Sequence, residues 1–142
     1  MLRGEFPSAG EQSPETLRAA YDDHLATVID AVGVETVAER AEIDPDVLRA
    51  VVAGERPELT LSEAAAVLGT DPDRPDAEVI AAEARDILLM GMTTAVLDVE
   101  ALASVVDDDL EPKEIQQKVE GRFPVTLDEY ALLHSAIEGR KR

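Results

Sequence analysis

The chain contains itself twice. Asp44-Pro45 opens a stretch that runs through Val52 and Gly54 to Pro57 and then to Thr60-Leu61-Ser62-Glu63. Glu111-Pro112 opens a second that runs through Val119 and Gly121 to Pro124 and then to Thr126-Leu127-Asp128-Glu129. Upstream, Val34-Glu35-Thr36-Val37-Ala38 is echoed by Val99-Glu100-Ala101-Leu102-Ala103. Thr60 and Thr126 stand 66 residues apart, too far for one solenoid repeat and right for two small units in tandem. Each unit alone sits near the size at which a single core is marginal, so the two are expected to pack against each other.

Local signals read as helix throughout. Ser13-Pro14 is an N-cap followed by proline at the first helical position, and Leu17, Tyr21, Leu25, Val28 and Val32 recur at helical spacing up to Gly33. Residues 34–42 read as a short second helix. Asp44 caps a third that Gly54 ends, and Thr60-Leu61-Ser62-Glu63 is a capping box for a fourth that Gly69 closes. The second unit repeats this order, with a long helix over about 75–97, a short one capped by Asp98, a third over 112–120 and a fourth opened at Thr126. The expected fold is therefore all-α, two tandem four-helix units packed together. The boundaries read as a flexible N-terminal arm over 1–12, a first unit over 13–70, a linker over 71–75 carrying Pro72 and Pro75, and a second unit over 76–142. Residues 87–92, Ile-Leu-Leu-Met-Gly-Met, are apolar nearly all round and predict a helix buried on several sides.

Charge narrows the setting. There are 31 acids against 13 bases, a net charge of −18, with arginine outnumbering lysine ten to three. At molar salt the Debye length is about 3 Å, so such self-repulsion is screened and a hydrated acidic surface favours solubility. The composition resembles that of salt-in halophiles, which removes acidity as an argument against DNA as a partner. The charge is uneven. Residues 1–112 hold 26 acids and 7 bases, whereas residues 113–142 hold 5 acids and 6 bases and end in Arg140-Lys141-Arg142. There is no cysteine, hence no disulfide or thiolate metal site. No basic stretch followed by an apolar run opens the chain and no run is long enough to span a bilayer, so a soluble cytoplasmic protein is expected.

One region resembles a known family. Val37-Ala38-Glu39-Arg40-Ala41, Ile43-Asp44, Leu48, Val51, Gly54 and Pro57 look like the helix-turn-helix of Cro-type phage repressors. The likeness covers about 34–68 and, more weakly, 99–133. The whole chain also resembles an uncharacterised haloarchaeal family, which carries no activity over. The repressor likeness implies that the third helix of a unit enters the DNA major groove. In the first unit that helix offers Asp46, Arg49, Ala50 and Ala53 outward, and Glu42 stands where the family usually has a turn glycine. In the second it offers Lys113, Gln116, Gln117 and Glu120, and glutamine and lysine can pair with adenine and guanine edges. Candidate DNA contacts are thus Lys113, Gln116, Gln117, Lys118 and Arg122, with Arg49 and Arg56 secondary. A homodimer would fit a reader of two half-sites.

Other chemistry is thin. His24 reads as a boundary residue and His134 as a partly buried, hydrogen-bonded one. Asp107-Asp108-Asp109 lacks the glycine and terminal glutamate of a calcium loop and reads as a solvated turn. No phosphate loop, nucleophile constellation or zinc spacing stands out, so no catalytic residue, cofactor or metal is assigned. The reading is a non-catalytic DNA-binding regulator; the alternative is a protein-protein interaction module on the same scaffold, and neither involves a membrane.

Overall fold

Most helices begin at a cap that the chain supplies locally. In the computed structural model, which describes Phe6 and residues 8–106 and 110–141, Ser13 Oγ accepts from the Thr16 amide at 3.2 Å to open α1 (Pro14–Val32). Gly33, at φ 102°, ends it and leads into α2 (Val34–Ala41). Asp44 Oδ1 accepts from the Asp46 amide at 2.8 Å at the head of α3 (Pro45–Val52). Thr60 and Glu63 exchange side-chain and backbone hydrogen bonds around the first turn of α4 (Leu61–Leu68). The second unit repeats the series as α5 (Ala77–Ala95), α6 (Val99–Val105), α7 (Pro112–Val119) and α8 (Leu127–Glu138). Thr126 and Glu129 close the same reciprocal cap on α8. Gly54 and Gly121 leave α3 and α7 at φ 78° and 80°, a left-handed exit that a side chain would strain.

The two units meet as a pair of equivalents. The Leu61 amide donates to the Val125 carbonyl and the Leu127 amide to the Leu59 carbonyl, both at 2.8 Å. These residues occupy matching places in the repeat, so Thr60 and Thr126 form an antiparallel bridge across a pseudo-two-fold axis. Around that axis the long helices cross over: α1 packs on α8 and α5 on α4, each against the other unit's last helix. Leu17, Tyr21, Leu25, Leu48, Leu61 and Leu68 from one unit and Ile80, Leu88, Leu102, Leu127, Tyr130 and Ile137 from the other belong to one buried cluster.

Two expectations are corrected. The segment before Ser13 does not fray where it is described. Ala9 is buried at the start of a short 3-10 turn (Ala9–Glu11), and the Ser135 hydroxyl donates to the Gln12 carbonyl at 2.7 Å. A Cβ on Gly10 would come within 2.6 Å of the Glu138 backbone, so only glycine allows this approach to the end of α8. Phe6 stands edge-on to Tyr21 with ring centres 5.1 Å apart, which explains the docking: it covers an aromatic cluster that α1 and α8 alone leave open. Residues 87–92 are not buried all round. Leu88, Gly91 and Met92 face inward, whereas Leu89 and Met90 are 38% and 58% exposed. Gly91 lies under Ile137 of α8, and that close approach settles which side of α5 turns in.

His134 sits deep in the aromatic cluster, as a hydrogen-bonded residue should. Its Nδ1 lies 2.6 Å from the Tyr21 hydroxyl and its Nε2 is 3.8 Å from Glu138. Tyr130 donates to the Ala84 carbonyl at 2.8 Å, tying α8 to α5. Burial, reinforced by the Lys141 ammonium, pushes the His134 pKa down to about 3, while burial raises that of Tyr21. The unfolded imidazole takes a proton near pH 6.5 and the folded one does not, so stability falls as pH drops from there towards 3. Between pH 7 and pH 4 the protein should lose about 3 kcal/mol more than His134→Gln, which titrates in neither state. Urea melts of both proteins at those two pH values check this, and parallel losses would refute it.

Candidate functional site

In the first unit, Glu42 adopts the left-handed conformation (φ 57°, ψ 45°) at the end of α2. It takes the conformation for which glycine is the default, and the Ile43 amide closes back on the Ala38 carbonyl at 3.2 Å. Leu48 and Val51 point inward, leaving Asp46 and Arg49 outside. Arg49 is engaged within its own unit, where its guanidinium donates to Asp46 at 2.9 Å and to Glu35 at 3.0 Å. Arg56, exposed at φ 52°, borders a hollow with Glu15 and Asp128. Neither arginine stands with the candidates of the second unit.

The second unit is different. Lys113 and Gln116 are exposed on the outer side of α7, and neither has an ion-pair partner among the described residues. Gln117 is half-buried, and its carbonyl accepts the amides of Arg122 and Phe123 at 2.8 and 3.3 Å, which folds the chain back after α7. Lys118 pairs with Glu129, and Arg122 stands 3.5 Å from Glu120. Lys118 and Arg122 line a cavity of about 280 Å³ together with Ser62, Gly121, Phe123 and a residue the sequence reading missed, Arg85. Its guanidinium lies close to Gly121, where a Cβ would come within 2.9 Å of Nε. The available signal was that Arg85 is the lone base between residues 75 and 112. Of the terminal basic run, Lys141 bonds to Glu138 at 2.7 Å, while Arg142 and the Asp107-Asp108-Asp109 turn lie outside the described residues.

A buried ion cluster occupies the matching place in the first unit. Arg18 is 2% exposed and donates to Asp22 and Asp128, both at 3.0 Å, and to the Pro57 carbonyl. Burial raises the Asp22 pKa against the pull of Arg18, and Asp22 Oδ2 has no hydrogen-bond partner among the described residues. Among the described residues no three histidine or acidic side chains are grouped to hold a metal ion. Among the same residues no single helix is long and apolar enough to cross a membrane.

The chain belongs to the family of unknown function DUF5791, whose model matches residues 17–140. The match spans both units, so the repeat belongs to the family as one piece. No curated protein and no solved structure matches the chain.

Proposed function

We propose that this protein is a non-catalytic DNA-binding regulator built on a duplicated Cro-type helix-turn-helix, working in the salt-rich cytoplasm of a halophilic archaeon. Reading falls to α7, with Lys113 and Gln116 turned to base edges and Lys118, Arg122 and Arg85 towards phosphates. The gathering of those three cations beside α7, on a chain of net charge −18, carries this reading. The left-handed turn at Glu42 and the matched glycine exits support the helix-turn-helix ancestry. The first unit, with Arg49 held by two carboxylates, serves as scaffold.

The test is anisotropy of a labelled duplex pool of random sequence against KCl concentration. With about three phosphates neutralised, log K should fall with log salt at a slope near −3. Lys113→Glu with Gln116→Glu should weaken binding at least about tenfold, because it removes a cation and sets two carboxylates against a polyanion, and leave the melting temperature in place. Absence of binding at every salt concentration would refute the proposal. A second reading, a protein-interaction module, is favoured by one observation: Leu89, Met90 and Val96 are exposed along α5 and its C-terminal end.

A further inference from the structure

We infer that the cavity between α4, α5 and the end of α7 binds the phosphate group of a small phosphorylated ligand. The inference comes from comparing the two sides of the pseudo-two-fold axis; it shares Lys118, Arg122 and Arg85 with the DNA reading but does not require that a duplex be bound. Both long helices have 19 residues, and Leu17, Tyr21, Leu25 and Ile29 of α1 are buried in step with Ile80, Ala84, Leu88 and Met92 of α5. Arg18 therefore corresponds to Ala81 and Asp22 to Arg85, while the capping boxes make Asp128 correspond to Ser62.

On one side, then, these positions hold an ion cluster of their own: a buried arginine held by two carboxylates and a carbonyl. On the other, the same backbone positions carry alanine, arginine and serine. Lys118 and Arg122 join them around a cavity of about 280 Å³ with no carboxylate among the described residues of its wall. The acids nearby are already placed. Glu129 holds Lys118, Glu120 is near Arg122, and Glu78 borders the adjoining hollow, which shares Ser62 and Arg85 with this one. Arg85 itself has no ion pair among the described residues, and its guanidinium packs close against Gly121. A planar fork beside a second arginine, an ammonium and a hydroxyl matches a phosphate dianion, whose oxygens take bidentate and single bonds at once. The volume is at the small end of the range for small-molecule pockets. Phe123 gives it an apolar wall for the rest of the ligand.

The experiment is a nitrogen-15 NMR titration of the full chain with inorganic phosphate and then AMP, ionic strength held constant with KCl. Saturable shifts are expected at the Ser62, Gly121 and Arg122 amides and at Arg85 Nε. Arg85→Gln should weaken the affinity at least about tenfold, the order of one charge-assisted hydrogen bond. Arg122→Gln, at a residue 70% exposed, gives the same readout without risk to the fold. Saturation by phosphate alone identifies the free ion as ligand, and saturation by AMP alone identifies an organic phosphate; either supports the site. No saturable shift, equal shifts with chloride, unchanged binding in both variants, or shifts produced only by a DNA duplex would overturn it. Lys113→Glu with Gln116→Glu, which lie outside the cavity wall, should leave the phosphate shifts intact, so this site and the DNA reading fail separately.

Discussion

Residues 1–74 and 75–142, produced as separate polypeptides, should each lose cooperative melting and much of their helix content, and should regain both when mixed in equal amounts. The reason lies in how the long helices cross. α1 packs on α8 as well as on α3, and α5 on α4 as well as on α8, so a lone unit loses much of the cover over its longest apolar stripe. Pieces of this size bury only about 60% of their chain surface at best, and helices of eight residues such as α2 and α3 are not stable by themselves. Loss of the reciprocal Leu61–Val125 and Leu127–Leu59 hydrogen bonds also leaves buried backbone groups unpaired. Circular dichroism of each piece and of the mixture gives the answer. A piece that melts sharply alone, near the temperature of the whole chain, would show two independent domains instead.

Arg18→Met should destabilise the protein by about 3–5 kcal/mol, the usual cost of removing one partner of a buried ion pair. Asp22 would remain 5% exposed without its hydrogen-bonded cation, and the Pro57 carbonyl would lose its donor. Asp128, with a side chain 74% exposed, regains water and contributes little to the loss. Adding Asp22→Leu should recover most of the deficit, because a well-packed apolar pair replaces a buried ion pair nearly neutrally. Urea midpoints of the single and double variants measure both effects. A single-variant loss under about 1 kcal/mol would mean that Arg18 is a packing residue and not an electrostatic one.

The parts of this fold that were legible in the sequence are those set by neighbours along the chain. Ser13, Asp44, Asp98, Thr60 and Thr126 act as caps because a short polar side chain reaches an amide two or three residues on, whatever lies around it. Gly54 and Gly121 end their helices for an equally local reason. What stayed hidden depends on distant partners. The docking of Ala9 and Gly10 requires the end of α8 to arrive beside them. The apolar run at 87–92 gave no face, because the choice between Leu88 and Leu89 was made by Ile137. The candidate site was half legible: Lys118 and Arg122 were named from their helix, and Arg85 was missed because it reaches the cavity from the other long helix. The neutralisation of Arg49 was missed similarly, since Glu35 comes from the preceding helix.

In a dimer of identical chains every mutation is made twice, once on each side of the symmetry axis, and its effect on stability is roughly doubled. Here the axis runs through a single polypeptide at Thr60 and Thr126, so each substitution lands once. Ser62 and Asp128, or Ala81 and Arg18, can therefore differ without compromise, and one end of the molecule is free to specialise while its counterpart stays fixed by the needs of the fold.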